Sequence, residues 1–184
     1  MISLLPVVLA TTCAMADPPR TTSTTASASP SVPSASYLAL NAPERRVRAP
    51  EARVQSLLAY GFQRSPTFAS LLLALNKSDV IVYIESIMTL PKETMGRITI
   101  VPIAGKERYL RVQIRADLPR RDAIALIGHE MWHALEIAEV PDARNADGLI
   151  RLYERIGHSS GAEHTYDTSA ARDTGRKILS ELAG

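Results

Sequence analysis

Three residues near the middle of the chain have the types and spacing of a metal site. They belong to the sequence His129-Glu130-Met131-Trp132-His133, an HExxH pattern. Residues four apart lie on one face of an α-helix, about one turn from each other, so both imidazoles can bind one ion with the tetrahedral geometry of zinc. Glu130 flanks that face, where a carboxylate can take a proton from metal-bound water and return it to a leaving group. The spacing therefore predicts one Zn²⁺ ion, with His129 and His133 as ligands and Glu130 as the general base.

The sequence around this pattern is apolar. Two imidazoles and a carboxylate are costly to bury unless something pairs with them, so this setting favours a metal site over histidines that merely fill a core. The flanking apolar residues are Leu126, Ile127, Ala134 and Leu135.

The element that carries the pattern is predicted to be one long helix. A helical period runs over about 120–139, with apolar residues on almost every side, which is typical of a buried helix. Two further helices are predicted at about 146–156 and 167–182, separated by a loop over 157–165.

The chain before this helix predicts two short helices and then a small sheet. Apolar residues recur at helical spacing from position 51 and again after Pro66. Two β-branched runs, 80–84 and 98–101, and the alternating segment 108–115 have the pattern of strands. The expected fold class is α+β: a small mixed or antiparallel sheet with one hairpin and one wet face, followed by the buried helix and C-terminal helices.

A sheet followed by a buried HExxH helix resembles the zincin metallopeptidases. The resemblance covers roughly 80–182 but rests on three fixed residues, His129, Glu130 and His133. The metzincin branch would need a glycine at position 136 and a histidine at position 139, whereas this chain has Glu136 and Glu139. The resemblance therefore implies a gluzincin-like or aspzincin-like site, in which a carboxylate from a later helix completes the ligand set.

The identity of that third ligand is left open by the sequence. Asp167 is the first choice, because it is expected to open the last helix after a loop that lets this helix turn back on the active one. Glu163 and Asp167 also have an E-x-x-x-D spacing, which in gluzincins would make Glu163 the ligand and Asp167 a partner of a ligand histidine. The remaining alternates are Glu154, His158 and His164.

Further residues of this region are candidates for supporting roles. His158, His164 or Tyr166 could hydrogen-bond the oxyanion that forms when water attacks a carbonyl, a role that zincins often give to a His or Tyr. Glu136 is nearly in line with the two histidines, one turn further on, so it is expected to be a partner of a ligand rather than a ligand.

The first residues are typical of an exported protein. Residues 1–16 carry no charge, contain an apolar stretch and end in Ala14-Met15-Ala16, so a signal peptide cut after Ala16 is predicted. This segment is too short for a stable membrane anchor, and no integral span is expected after its cleavage. The protein is then expected to be periplasmic or secreted.

The rest of the chain divides into a tether and a domain. Residues 17–50 are rich in Ser, Thr, Ala and Pro, which predicts a disordered tether, and 51–184 is the expected zincin-like domain. Lipidation of Cys13 is disfavoured, because Thr12 is a poor fit to the small residue that such processing sites usually have before the cysteine.

Two classes of function are compatible with these features. The first is a zinc metallopeptidase that holds an extended peptide or protein substrate along the hairpin edge. The second is a non-catalytic zincin-like module that binds metal or acts in a structural or interaction role in the cell envelope, which the small domain favours. The formal net charge is only +2 and the aromatic content only 5%. Nucleic-acid binding usually needs a basic surface with aromatic residues, so it is not expected of this chain.

Overall fold

The computed structural model describes residues 9–11, 45–90, 94–101, 105–159 and 166–184. The helices in this part of the chain are α1 (Ala52–Arg64), α2 (Pro66–Leu75), α3 (Arg120–Ala138), α4 (Ala146–Ile156) and α5 (Ser169–Glu181). The strands are β1 (Leu9–Thr11), β2 (Val47–Arg48), β3 (Val80–Ile87), β4 (Gly96–Val101), β5 (Arg108–Arg115), β6 (His158–Ser159) and β7 (Tyr166–Asp167).

The main sheet has the order β1-β4-β5-β3-β2, and β6 pairs with β7 separately. β4 and β5 form the predicted antiparallel hairpin, whereas β5 pairs with β3, and β3 with β2, in parallel. The predicted α+β class with a mixed sheet is therefore confirmed. The parallel pairs need long connections, and α1 and α2 supply the one between β2 and β3.

Helices cover one face of this sheet. Along β5, Leu110, Val112 and Ile114 are fully buried in the core that also contains α3, whereas Arg111 on the opposite face is exposed. The alternation follows from the period of two in a strand. It leaves the apolar face for α3, whereas the opposite face is wet only in part, because Gln113 on that face is buried.

The helix α3 is buried along most of its length, from Ala123 to Ile137, and it packs against the sheet, α2 and α5. Glycines permit the close approach of α5. A Cβ on Gly128 would lie 2.1 Å from Ile178 Cδ1, and a Cβ on Gly175 would lie 3.4 Å from His129 Cβ. The two helices therefore meet at the level of the first histidine of the HExxH pattern.

A buried arginine holds the C-terminal end of α3. Arg108, at the start of β5, is 3% exposed and makes a two-point ion pair with Asp79, at 2.6 and 3.0 Å. It also donates to the carbonyl oxygens of Ile137 (2.6 Å), Ala138 (2.9 Å) and Val140 (2.7 Å). Carbonyls at a helix end have no partner within the helix, so this side chain both caps α3 and fixes it to the sheet.

The folded part begins before the position that composition indicates. Val47 and Ala49 lie in the predicted tether, 17–50, yet each is 2% exposed. Val82 N donates to Arg46 O at 2.7 Å, so this short segment joins the core as β2. A strand of two residues is too short to show a periodic pattern, which explains why composition alone concealed it.

The last helix also begins later than predicted. Its N-cap is Thr168, whose side chain accepts from Ala171 N, so α5 starts at Ser169. Asp167, expected to open this helix, lies before the cap in β7. The side chain of Asp167 is therefore not used as the N-cap of α5.

Of the predicted signal peptide, 1–16, only Leu9–Thr11 belongs to the described residues, and Cys13 lies outside them. Of the predicted tether, only 45–50 is described. None of the helices in the described ranges combines the length and hydropathy needed to cross a bilayer.

Candidate metal centre

Three side chains from two parts of the chain converge inside the protein. His129 and His133, on α3, place their Nε2 atoms 3.1 Å apart. Asp167 Oδ1 lies 3.3 Å from His129 Nε2 and 3.5 Å from His133 Nε2. All three residues are buried, and among the described residues they form the one group of His, Cys, Asp and Glu side chains that could hold a metal ion.

The size of this triangle fits one small ion. Nitrogen and oxygen ligands about 2.0–2.2 Å from a tetrahedrally coordinated zinc lie about 3.3–3.6 Å from one another. The three observed separations, 3.1, 3.3 and 3.5 Å, agree with that spacing within about 0.2 Å. Three protein donors is also the number found in catalytic zinc sites, where water or substrate takes the fourth position.

Asp167 reaches the histidines because β7 turns it towards α3. β7 pairs with β6, with His158 opposite Asp167. Thr168 N donates to Asp167 Oδ1 at 2.7 Å, and Arg172 Nη1, from α5, lies 3.5 Å from Asp167 Oδ2. One oxygen thus faces the imidazoles while the other faces a cation.

Glu136 orients His133 from behind. Its Oε2 lies 2.8 Å from His133 Nδ1, so the ring nitrogen that faces away from Asp167 is held by a carboxylate. Carboxylates in this position fix the tautomer and direction of metal-bound histidines. The expectation that Glu136 is a partner of a ligand agrees with this geometry.

Glu136 is itself held by three donors. Trp132 Nε1 donates to its Oε1 at 3.0 Å, and Thr168 Oγ1 donates to the same oxygen at 2.7 Å. Tyr153 Oη, from α4, donates to Oε2 at 3.2 Å and lies 3.3 Å from His133 Nδ1. Helices α3 and α4 and the cap of α5 therefore all contribute to the position of one imidazole.

The electrostatics of this centre favour a cation. Burial opposes charge on His133, but hydrogen bonds to Asp167 and Glu136 raise its pKa to about 9. Burial also opposes charge on Asp167, yet the two histidines hold the pKa of this carboxyl far below its usual range. For Glu136, too, the hydrogen bond with His133 outweighs burial and lowers the pKa. Without an ion, a proton on His133 balances the carboxylates, and an ion would replace that proton.

The proposed general base lies between α3 and the sheet. Glu130 is fully buried, and its charge contributes to the raised pKa of His133. A Cβ on Gly96, the first residue of β4, would lie 2.9 Å from Glu130 Oε1. The absence of a side chain at position 96 therefore makes room for this carboxylate beside the outer strand of the hairpin.

The other sequence-predicted candidates have different placements. Glu154 is exposed on α4 and does not join the three converging side chains, because the buried face of this helix carries Leu149, Leu152 and Tyr153 instead. The ring of Tyr166 stacks on that of Tyr153, with centroids 6.3 Å apart. His158 is described only as a backbone position in β6. Glu163 and His164 lie outside the described residues.

Three residues of this centre were not among the sequence-predicted candidates: Tyr153, Thr168 and Arg172. Tyr153 shares a helical face with Leu149 and Leu152, and a hydroxyl on an apolar face usually has a buried partner. That signal could have been recognised. The contributions of Thr168 and Arg172 depend on how α5 docks on α3, which has no local signature.

Comparison of the chain with protein-family models, curated proteins and solved structures finds no match in any of the three sets. Functional inference therefore depends on the geometry of the residues themselves.

Proposed function

We propose that this protein is an exported zinc-dependent hydrolase, most specifically a metallopeptidase of zincin type. The observation that supports it is the triangle of two imidazole nitrogens and one carboxylate oxygen, at 3.1, 3.3 and 3.5 Å, with Glu130 next to one of the histidines on the same helix. His129, His133 and Asp167 would hold the ion. Zinc is favoured over harder ions because two of the three donors are imidazoles.

When bound, zinc would polarise a carbonyl group and lower the pKa of a water molecule towards neutrality. The protein supplies the remaining requirements. Glu130 accepts and returns the proton at its carboxylate, which lies beside β4. Glu136 keeps His133 in one tautomer, and Arg172 holds the second oxygen of Asp167 away from the imidazoles. The buried setting excludes bulk water and so strengthens each of these electrostatic effects.

An extended peptide is the substrate that suits this arrangement. The outer side of β4, which β1 occupies in this structure, would be an open edge after the predicted cleavage and could then pair with a peptide backbone. Gly96 at the start of β4 lies against Glu130. A scissile carbonyl carried along that edge would approach the proposed base and the ligand set together. Backbone pairing would provide affinity with little dependence on sequence.

The test compares two glutamates, Glu130 on α3 and Glu139 at the C-terminal cap of this helix. Glu130→Gln should retain stoichiometric zinc, measured by elemental analysis, and lose about 10²–10⁴-fold in kcat/KM on a broad peptide library. Glu139→Gln, at an exposed position near the end of the helix, should keep both zinc and activity. His133→Ala should lose zinc as well as hydrolysis.

Two results would count against the proposal. If wild type and Glu130→Gln bind zinc alike and neither cleaves any peptide, the centre belongs to a non-catalytic metal-binding module. If His133→Ala keeps its full zinc content, the converging triangle is not a metal site at all.

A further inference from the structure

The outer edge of β4 is not open in this structure. β1 runs antiparallel along it, with Leu9 opposite Ile98, Ala10 opposite Arg97 and Thr11 opposite Gly96. An edge strand presents unpaired backbone N–H and C=O groups to any extended chain. Here three residues from the N-terminal segment use those groups.

The same three residues also contact the strand that bears Asp167. β1 packs against β7 as well as pairing with β4. On one side it therefore meets the edge at Gly96, where Glu130 lies, and on the other it meets the segment of the third candidate ligand. An extended chain in this position therefore contacts both the strand beside Glu130 and the strand that carries Asp167.

We infer that the segment around Leu9–Thr11 is a built-in occupant of the peptide-binding edge, and that it keeps the metal centre closed to peptides while it remains attached. The effect on hydrolysis rests on the proposed function, whereas the docking of the segment does not. Cleavage after Ala16, as the sequence predicts, would release the occupant and open the edge.

The sequence of the segment suits this role. Residues 7–12, Val-Val-Leu-Ala-Thr-Thr, are uncharged and rich in β-branched side chains, which favour the extended conformation. Covalent attachment gives such a segment an effective concentration on the order of millimolar. A peptide substrate at micromolar concentration would therefore compete poorly with it.

Docking can be tested by a disulfide in the full chain, produced without export so that residues 1–16 are retained. With Cys13→Ser as the background, Ala10→Cys and Arg97→Cys introduce two thiols at directly opposite positions of the β1–β4 pair, at a spacing that a disulfide can bridge. The matched control combines Ala10→Cys with Ala52→Cys, just beyond β2 at the opposite edge of the sheet. Mild oxidation should cross-link the first pair and not the second, as read by gel mobility and peptide mass.

Closure can be tested on the same protein. The zinc-loaded Ala10→Cys/Arg97→Cys variant should hydrolyse peptides at least about tenfold faster after reduction than in the oxidised state, because reduction lets the segment leave the edge. Ala10→Pro in the otherwise native full chain should also raise kcat/KM, since proline removes a backbone donor and disfavours strand pairing. Ala10→Ser should behave as wild type.

The outcomes separate the two ideas. If the variant with thiols at positions 10 and 97 cross-links no better than the control with thiols at positions 10 and 52, the docking is wrong. Equal hydrolysis by oxidised and reduced protein would show that the segment does not close the centre. A specific cross-link, with no hydrolysis by any form of the protein, would support the docking and overturn the proposed peptidase.

Discussion

Two polar clusters that contact α3 differ in how completely their own groups satisfy one another. Around Arg108, five hydrogen bonds join one guanidinium to Asp79 and three helix-end carbonyls, so donors and acceptors are matched without any ligand. Around His133, two imidazole nitrogens and a carboxylate oxygen lie within 3.5 Å of one another. Both clusters contain charged groups around a buried side chain, Arg108 in one and His133 in the other. Only the second is arranged as a set of electron-pair donors that a cation would complete.

The largest effect on stability should come from breaking the matched cluster. Arg108→Met would leave buried helix-end carbonyls and Asp79 without their donor, and should lower the free energy of unfolding by about 3–5 kcal/mol. Urea denaturation measures this loss, and the zinc content of the folded fraction should stay unchanged. Asp79→Asn should cost less, because the Asp79 side chain is 45% exposed. A loss below about 1 kcal/mol for Arg108→Met would contradict a structural role for this cluster.

The second cluster should respond to Glu136→Gln in its metal affinity more than in its fold. Replacing one carboxylate oxygen by an amide disturbs the hydrogen bonds that orient His133, and zinc affinity should fall about 10–100-fold. Competition with a chromophoric chelator measures it, with Glu139→Gln as the control. An affinity equal to that of the wild type would show that Glu136 does not position the imidazole.

The contact between α3 and α5 offers a test that changes neither polar cluster. Gly128→Ala would force a methyl group to 2.1 Å from Ile178 Cδ1, so the free energy of unfolding should fall by about 1–3 kcal/mol. Ile178→Val removes that terminal carbon. The double variant Gly128→Ala/Ile178→Val should therefore recover much of the loss, and additive losses would locate the strain elsewhere.

The two clusters should also differ in their response to pH, because each contains a group whose pKa is shifted in the folded protein. In the metal-free protein the pKa of His133 is raised from 6.5 to about 9, so its contribution to stability is present below about pH 6.5 and is lost as pH rises through about 9. The pKa of Asp79 is lowered from 3.8 by its hydrogen bond with Arg108, so that contribution is present above pH 3.8 and is lost as pH falls.

Metal binding should release the proton that His133 carries in the metal-free protein. Because zinc would displace a proton from His133, the apparent zinc affinity should rise about tenfold per pH unit from pH 6 to 8. Calorimetry in buffers of different ionisation enthalpy measures the proton released per ion. Binding without proton release would contradict a charged His133 in the metal-free state.

The sequence predicted the elements that have a local signature. The alternation in β5 and the helical period of α3 are confirmed, and the same alternation places Arg108 on the inward face with Leu110. An arginine in register with core residues was thus a visible sign of a buried ion pair. The position of the two histidines on one helix face followed directly from helix geometry.

What the sequence left open depends on how distant segments meet. The convergence of Asp167 on the two histidines depends on the pairing of β7 with β6, which no local pattern reveals. The parallel pairing of β2 with β3 brings Val47 into the core from a stretch whose composition is that of a tether. Tyr153 and Thr168 reach Glu136, beside His133, only because α4 and α5 fold back on α3.

The placement of Asp167 beyond α4 has a consequence for folding. The histidines and this carboxylate lie on either side of α4 and β6, so one ion bound to all three would close that stretch into a ring, much as a disulfide does. Ring closure lowers the entropy of the unfolded chain and makes ion uptake part of the folding free energy. Chelation should therefore loosen the α4–β6–β7 stretch first, while the β3–β5 core still resists hydrogen exchange.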